Sequence, residues 1–227
     1  ICEMIKKILP LEKRRKLANY LSELFFNNAT KSYSQEGEDM ILRRIFVNSN
    51  TGFYIDVGAF HPTRFSNTYY FYRKGWRGIN IDAMPGSMKK FNRKRDRDIN
   101  IEFPVSSEKK NIMFYAFNEP ALNTFSSELA KERDGKDGYR ILFKKELETK
   151  TLAELLEENM PKEIKEIDFL SIDVESLDFD VLISNNWEKY IPKVILIEDL
   201  NFNHNNTKES KISKYLSEKN YEFFAKT

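Results

Sequence analysis

The sequence predicts an α/β fold, a mostly parallel central sheet with helices on both faces. Three observations carry that expectation. Short apolar runs rich in aromatic and β-branched residues recur along the chain, among them Phe53–Val57, Gly78–Ile81, Ile99–Val105 and Ile167–Val174, and their length suits buried strands. Stretches with helical spacing separate them, which is the pattern of parallel strands joined by crossovers. Polar residues stand where the runs end: Asp56, Asp82, Ser106, Asp173, Glu198 and Asp199. Ligands of open parallel sheets bind outside the carboxyl ends of the strands, so these positions are the first candidates for a site.

In chain order, residues 1–31 read as a basic amphipathic helical appendage. Ile5, Ile8, Leu9, Leu17, Leu21, Leu24 and Phe25 recur near helical spacing, with a break at Pro10 and a basic knot at Lys13–Lys16;. This helix packs on the domain or on a second copy of the chain, giving a homodimer; a peripheral membrane-surface contact is the alternative. Residues 32–227 form the main domain. Ser34 or Glu38 can cap the helix running to Phe46, and three carboxylates there (Glu36, Glu38 and Asp39) exceed what a cap needs. Phe53–Val57 then carries Asp56 and breaks at Gly58, a helix is expected over Thr63–Tyr72, and Gly78–Ile81 ends in Asp82. Strand, glycine turn, helix, strand and acidic residue make a nucleotide-binding βαβ unit in which the carboxylate holds ribose hydroxyls. Only one of three fingerprint glycines is present, which favours a nucleoside-type ligand over a dinucleotide.

A helix follows Pro85-Gly86-Ser87, and Arg93, Lys94, Arg95 and Arg97 at its end are expected to stay solvated. Ile112–Phe117 reads as an added edge strand, and Ala121–Tyr139 as a loop or lid over the site. Thr149 or Thr151 caps a helix to Asn159. Lys193–Ile197 reads as a strand, Asn203–Thr207 as a loop carrying His204, Lys208–Lys219 as a helix and Tyr221–Phe224 as the start of a last strand.

Composition narrows the function classes. Hydrophobic residues make up 41% of the 227 and aromatic residues 14%, enough for a core. Lys+Arg number 37 against 35 Asp+Glu, a net charge of +2, which argues against a dedicated nucleic-acid binder. The single cysteine, Cys2, cannot form an internal disulfide and fits a reducing, cytoplasmic setting;. No apolar run is long enough for a membrane span.

Four motifs in order, Ser34-Gln35-x-Gly37-Glu38-Asp39, Tyr54-Ile55-Asp56-Val57-Gly58-Ala59, Gly75-Trp76-x-Gly78-Ile79-x-Ile81-Asp82 and Asp168-Phe169-Leu170-Ser171-Ile172-Asp173-Val174-Glu175, resemble the FkbM family. These are class I S-adenosylmethionine-dependent methyltransferases with a Rossmann-like fold, mostly O-methyltransferases of sugars and natural products. The resemblance implies that Asp56, Gly58 and Ala59 line the methionine part of the cofactor and Asp82 holds the ribose. It places Val105 and Ser106 near the adenine, with Gln35, Glu38 and Asp39 closing the pocket. The chain departs from the pattern at Phe60-His61-Pro62, where a further glycine is usual, and at Ser176, where glycine is usual. It also stops at Thr227, so the terminal hairpin of the class is expected to lack its last strand.

Methyl transfer to a hydroxyl needs alignment and a group that removes a proton. The candidate bases are His61, His204 and Asp173. Asp173, Glu198 and Asp199 together offer hard oxygen ligands that suit Mg²⁺ or Mn²⁺. The acceptor implied is a small molecule or a glycan, such as a surface polysaccharide or its nucleotide-linked precursor. Two other classes stay open at this point, a non-catalytic nucleoside-binding scaffold and an NAD-dependent oxidoreductase.

Overall fold

The computed structural model describes residues 10–25, 30–199, 202 and 210–227. The chain forms two compact units, Ile1–Ser32 and Tyr33–Thr227. The first holds helix α1 (Leu11–Phe25), on which Leu11, Leu17, Tyr20 and Leu21 are exposed.

The second unit is built on a five-stranded parallel sheet in the order β3-β2-β1-β6-β7. Its strands are β1 (Phe53–Val57), β2 (Arg77–Asp82), β3 (Ile99–Glu102), β6 (Ile167–Ile172) and β7 (Pro192–Ile197). The chain order reverses between β1 and β6, and such a switch point opens a crevice at the carboxyl ends of the strands. Every residue of β1 and β6 is buried, as continuous apolar runs require in a sheet covered on both faces.

Side-chain alternation along β1 divides the core. Phe53, Ile55 and Val57 pack with Leu152, Leu155 and Leu156 of α6 (Leu152–Asn159), Val181 and Leu182 of α7 (Asp178–Ile183) and Ile212 of α8 (Lys211–Glu218). Tyr54 faces the other way and packs with Phe169, Leu42 of α2 (Glu38–Ile45), Phe71 of α3 (Tyr69–Arg73) and Trp76. Burial of each such side chain contributes about 1.5–3 kcal/mol. Phe71 and Trp76 are therefore core residues. α4 (Met88–Lys94) adds Met88 and Phe91 in a third cluster around Ala59.

Several elements differ from expectation. The helix expected from Thr63 starts only at Tyr69, because Phe65 has φ 51° and the Ser66 hydroxyl accepts the Tyr69 amide at 3.1 Å. Pro62 starts no helix. Ile112–Phe117 does not extend the main sheet. It lies in β4 (Asn111–Phe117), which pairs antiparallel with β5 (Ile141–Glu148) in a separate two-stranded sheet. The expected lid contains a 3₁₀ turn (Pro120–Leu122) and α5 (Ser127–Arg133). Gly37, not Ser34 or Glu38, is the N-cap of α2, whereas Thr151 forms a full capping box with Glu154 on α6. Residues 219–227 contain no strand; Tyr221 instead donates its hydroxyl to the Pro192 carbonyl. Arg95, expected in solvent, is fully buried.

Candidate functional site

The crevice at the switch point is a cavity of about 1050 Å³ including its open mouth. Its floor is the carboxyl ends of three neighbouring strands: Val57 and Gly58 after β1, Ile81 and Asp82 of β2, and Asp173–Glu175 after β6. Gln35 and Glu38 close it from the α2 side. Phe103, Val105, Phe114 and Phe125 give it an apolar wall, and Pro120, Ala121 and Asn123 bring the lid segment over it.

Gly58 lets the turn after β1 pack directly against the turn after β6. Its φ is 85°, and an added Cβ would lie 1.7 Å from the Asp173 carbonyl oxygen. The amides of Gly58 and Ala59 both donate to the Ile81 carbonyl, at 2.9 and 3.0 Å. Beside this turn, one oxygen of Asp82 accepts the Phe60 amide at 3.1 Å and the other accepts the Met84 amide at 2.8 Å. Each oxygen keeps capacity for one more donor. Burial raises the Asp82 carboxyl to about 6 in spite of these amides.

Gln35, Glu38, Gly58, Asp82, Val105 and Asp173 thus meet in one pocket, while other candidates lie elsewhere. Asp56 points to the opposite face of β1, where it accepts the Thr68 hydroxyl at 2.9 Å; burial raises it to about 6. Ala59 is buried against Met88 and Phe91. Asp39 is buried in an ion pair with Arg43 and also accepts the Tyr33 amide and the Ser34 hydroxyl. Ser106 is fully buried, and its amide donates to the Lys150 carbonyl at 3.0 Å. None of these four positions lines the pocket. His204 lies outside the described residues.

The acidic group differs by one member from expectation. Oxygens of Asp173, Asp178 and Glu198 lie within 4.8 Å of one another, and Asp199 is not among them. Asp178 accepts the amides of Val174 and Ser176 at 3.0 and 3.3 Å, so part of its capacity is already used. Desolvation, then repulsion by Glu198, Asp178 and Glu175, raises Asp173 to about 8. Desolvation and the Asp178 and Glu175 charges raise Glu198 to about 7, against the attraction of Arg133. Arg133 of α5 pairs with Glu175 at 3.0 Å and binds the Leu122 carbonyl, fastening the lid to the β6 turn.

His61 is poorly placed for proton abstraction. Its Nδ1 accepts the Thr63 and Arg64 amides at 3.2 and 3.1 Å, so in the neutral ring the outward nitrogen carries the proton. Burial and the charges of Lys90, Lys94 and Arg64 lower its pKa. Two further aromatic residues reach the pocket, Phe60 and Phe65, which stack at 6.1 Å with Arg64 set 4.4 Å over the Phe65 ring. Sequence reasoning passed over them because neither belongs to a periodic run.

A family model described as the methyltransferase FkbM domain matches residues 56–223. No curated protein and no solved structure gives a significant match. The match covers most of the chain and spans all the strand ends that form the crevice, while the Ser34–Asp39 motif precedes it. The chain belongs to the FkbM methyltransferase family.

Proposed function

We propose that the chain transfers a methyl group from S-adenosylmethionine to a hydroxyl of a sugar or glycan acceptor. The observation that carries this reading is Asp82, fixed by two backbone amides at the rim between the apolar wall and Gly58. The residues fit the cofactor. Asp82 accepts from the ribose hydroxyls, and Phe103, Val105 and Phe114 cover the base. Glu38 stands at the same pocket, where a cation is to be held. When bound, the cofactor supplies a methyl group on a positively charged sulfur, open to in-line displacement.

Asp173 is the base we assign for the acceptor hydroxyl, because it lines the pocket and stands above the usual carboxylate range. Phe60 and Phe65 take the role of sugar platform. Asp173→Asn should lower kcat by about 10²–10⁴-fold, the range of general-base assistance, with affinity for S-adenosylhomocysteine changed little. An equal loss in both quantities would remove it as the base.

The acidic trio supports a second reading, in which Mg²⁺ or Mn²⁺ activates the acceptor. Dialysis against EDTA followed by Mg²⁺ separates the two: loss and recovery of activity favours the cation, and indifference favours Asp173 alone. Calorimetry with S-adenosylhomocysteine and NAD tests the functional class. Binding of the former alone fits this proposal, binding of NAD alone contradicts it, and binding without turnover on any glycan fits a scaffold.

A further inference from the structure

Among the described residues, one densely bonded buried side chain belongs to no part of the proposed chemistry. Arg95 follows α4, and its side chain is 0% exposed. Its Nε donates to Asp98 at 2.9 Å, and one terminal nitrogen also pairs with Asp98 at 2.8 Å. That nitrogen reaches the Tyr54 hydroxyl at 2.7 Å and the Thr68 hydroxyl at 3.1 Å. The other donates to the Pro62 carbonyl at 3.1 Å. Asp98 in turn accepts the Tyr54 hydroxyl, the Gly78 amide and the Asn80 side chain.

Two of these bonds grip one loop. Residues 58–68 carry Gly58, Phe60, Phe65 and Asn67 into the pocket and supply the Phe60 amide that fixes Asp82. Arg95 holds this loop in its middle, at Pro62, and at its end, at Thr68. Thr68 passes the grip on to Asp56, and Asn67 beside it donates to Ser171 at 3.1 Å. The loop needs holding, because Phe60 and Phe65 both sit at φ 51°. Each such non-glycine residue is strained and persists only where its surroundings fix it.

We propose that Arg95 is a positioning residue for the cofactor site: it acts through Pro62 and Thr68 to keep loop 58–68 in the shape that presents Asp82 and the Phe60–Phe65 pair. A planar guanidinium suits this because it serves several acceptors in fixed directions, which a lysine ammonium does not. The inference rests on the functional reading only where ligand affinity is concerned.

The test compares Arg95→Lys and Thr68→Val with Tyr54→Phe, which weakens the same buried network but leaves both loop contacts in place. Amide hydrogen exchange of residues 58–68 is read well below each variant's melting temperature, and affinity for S-adenosylhomocysteine by calorimetry. Thr68→Val loses both the bond from Arg95 and the bond to Asp56, which predicts at least about tenfold faster loop exchange and about tenfold weaker affinity. Arg95→Lys, which leaves the Thr68–Asp56 bond in place, should show about tenfold in each. In Tyr54→Phe the melting temperature falls while loop exchange and affinity stay as in the wild type. Should Arg95→Lys fail to fold, Thr68→Val against Tyr54→Phe decides. Unchanged loop exchange in Thr68→Val, or equal changes in Tyr54→Phe, would reduce the network to a stability element and overturn the proposal. A wild type that binds no S-adenosylhomocysteine would sink the functional reading, whereas loop exchange still judges Arg95.

Discussion

A methyl group added at Gly58 would meet the Asp173 carbonyl oxygen, and its φ of 85° disfavours any side chain. Gly58→Ala should cost at least about 2 kcal/mol in unfolding free energy and abolish S-adenosylhomocysteine binding; a variant that melts and binds as the wild type would contradict the close approach. Asp82 makes a signed prediction. Its carboxyl titrates at about 6, and only the ionised form accepts from both ribose hydroxyls. Affinity for S-adenosylhomocysteine should therefore weaken as pH falls below 6, and Asp82→Asn should flatten that dependence. Gly58 and Asp82 were legible in the sequence, since a glycine turn and a strand-end carboxylate lie close together along the chain. Asp56 does not line the pocket, and motif position alone does not say which face of β1 a side chain takes. Arg95 was equally hidden: a basic cluster after a helix reads as solvated, and only the fold brings Asp98, Tyr54 and Thr68 around one of its members.

Among the elements, the parallel strands were the most readable, for their runs are rich in aromatic and β-branched residues and carry carboxylates at or just beyond their ends. β5 escaped because its sequence, Ile141–Glu148, is half charged and mostly exposed, so no apolar run announces it. α3 begins late because side-chain hydroxyls and a left-handed phenylalanine shape the residues before it. The turn after β6 shows the reverse case. Ser176 departs from the glycine usual in the family, yet it keeps φ 91°, and Glu175 before it has φ 51°. Ser176→Gly should relieve strain and raise stability by about 1 kcal/mol, visible in urea unfolding; a loss of stability would show that the serine side chain is needed there.

At the scale of the whole unit, carboxylates stand near the carboxyl ends of the strands, Asp56 buried, Asp82 and Glu198 half-buried and Asp173 exposed. Burial pushes Asp56 and Asp82 up to about 6 and Glu198 to about 7, against about 4 for unfolded carboxyls; Asp173 is raised too but is exposed, and solvent screening reduces its share;. Their folded values are raised, so each contributes stability that is fully present below about pH 4 and is lost as pH rises through its folded value. The melting temperature without ligand should fall by roughly 5 °C or more between pH 5 and pH 8, and Asp56→Asn should reduce that slope; a flat or rising profile would contradict these raised values. Under the proposed function a cationic nucleoside would be the counter-charge to these groups. The most direct measurement is the affinity of the wild type and of Asp82→Ala for S-adenosylhomocysteine by calorimetry at pH 7.5. The account predicts one site per chain in the wild type and binding at least about tenfold weaker in the variant, as expected when bonds to a charged acceptor are lost; no binding by the wild type, or equal affinity in both, would contradict it.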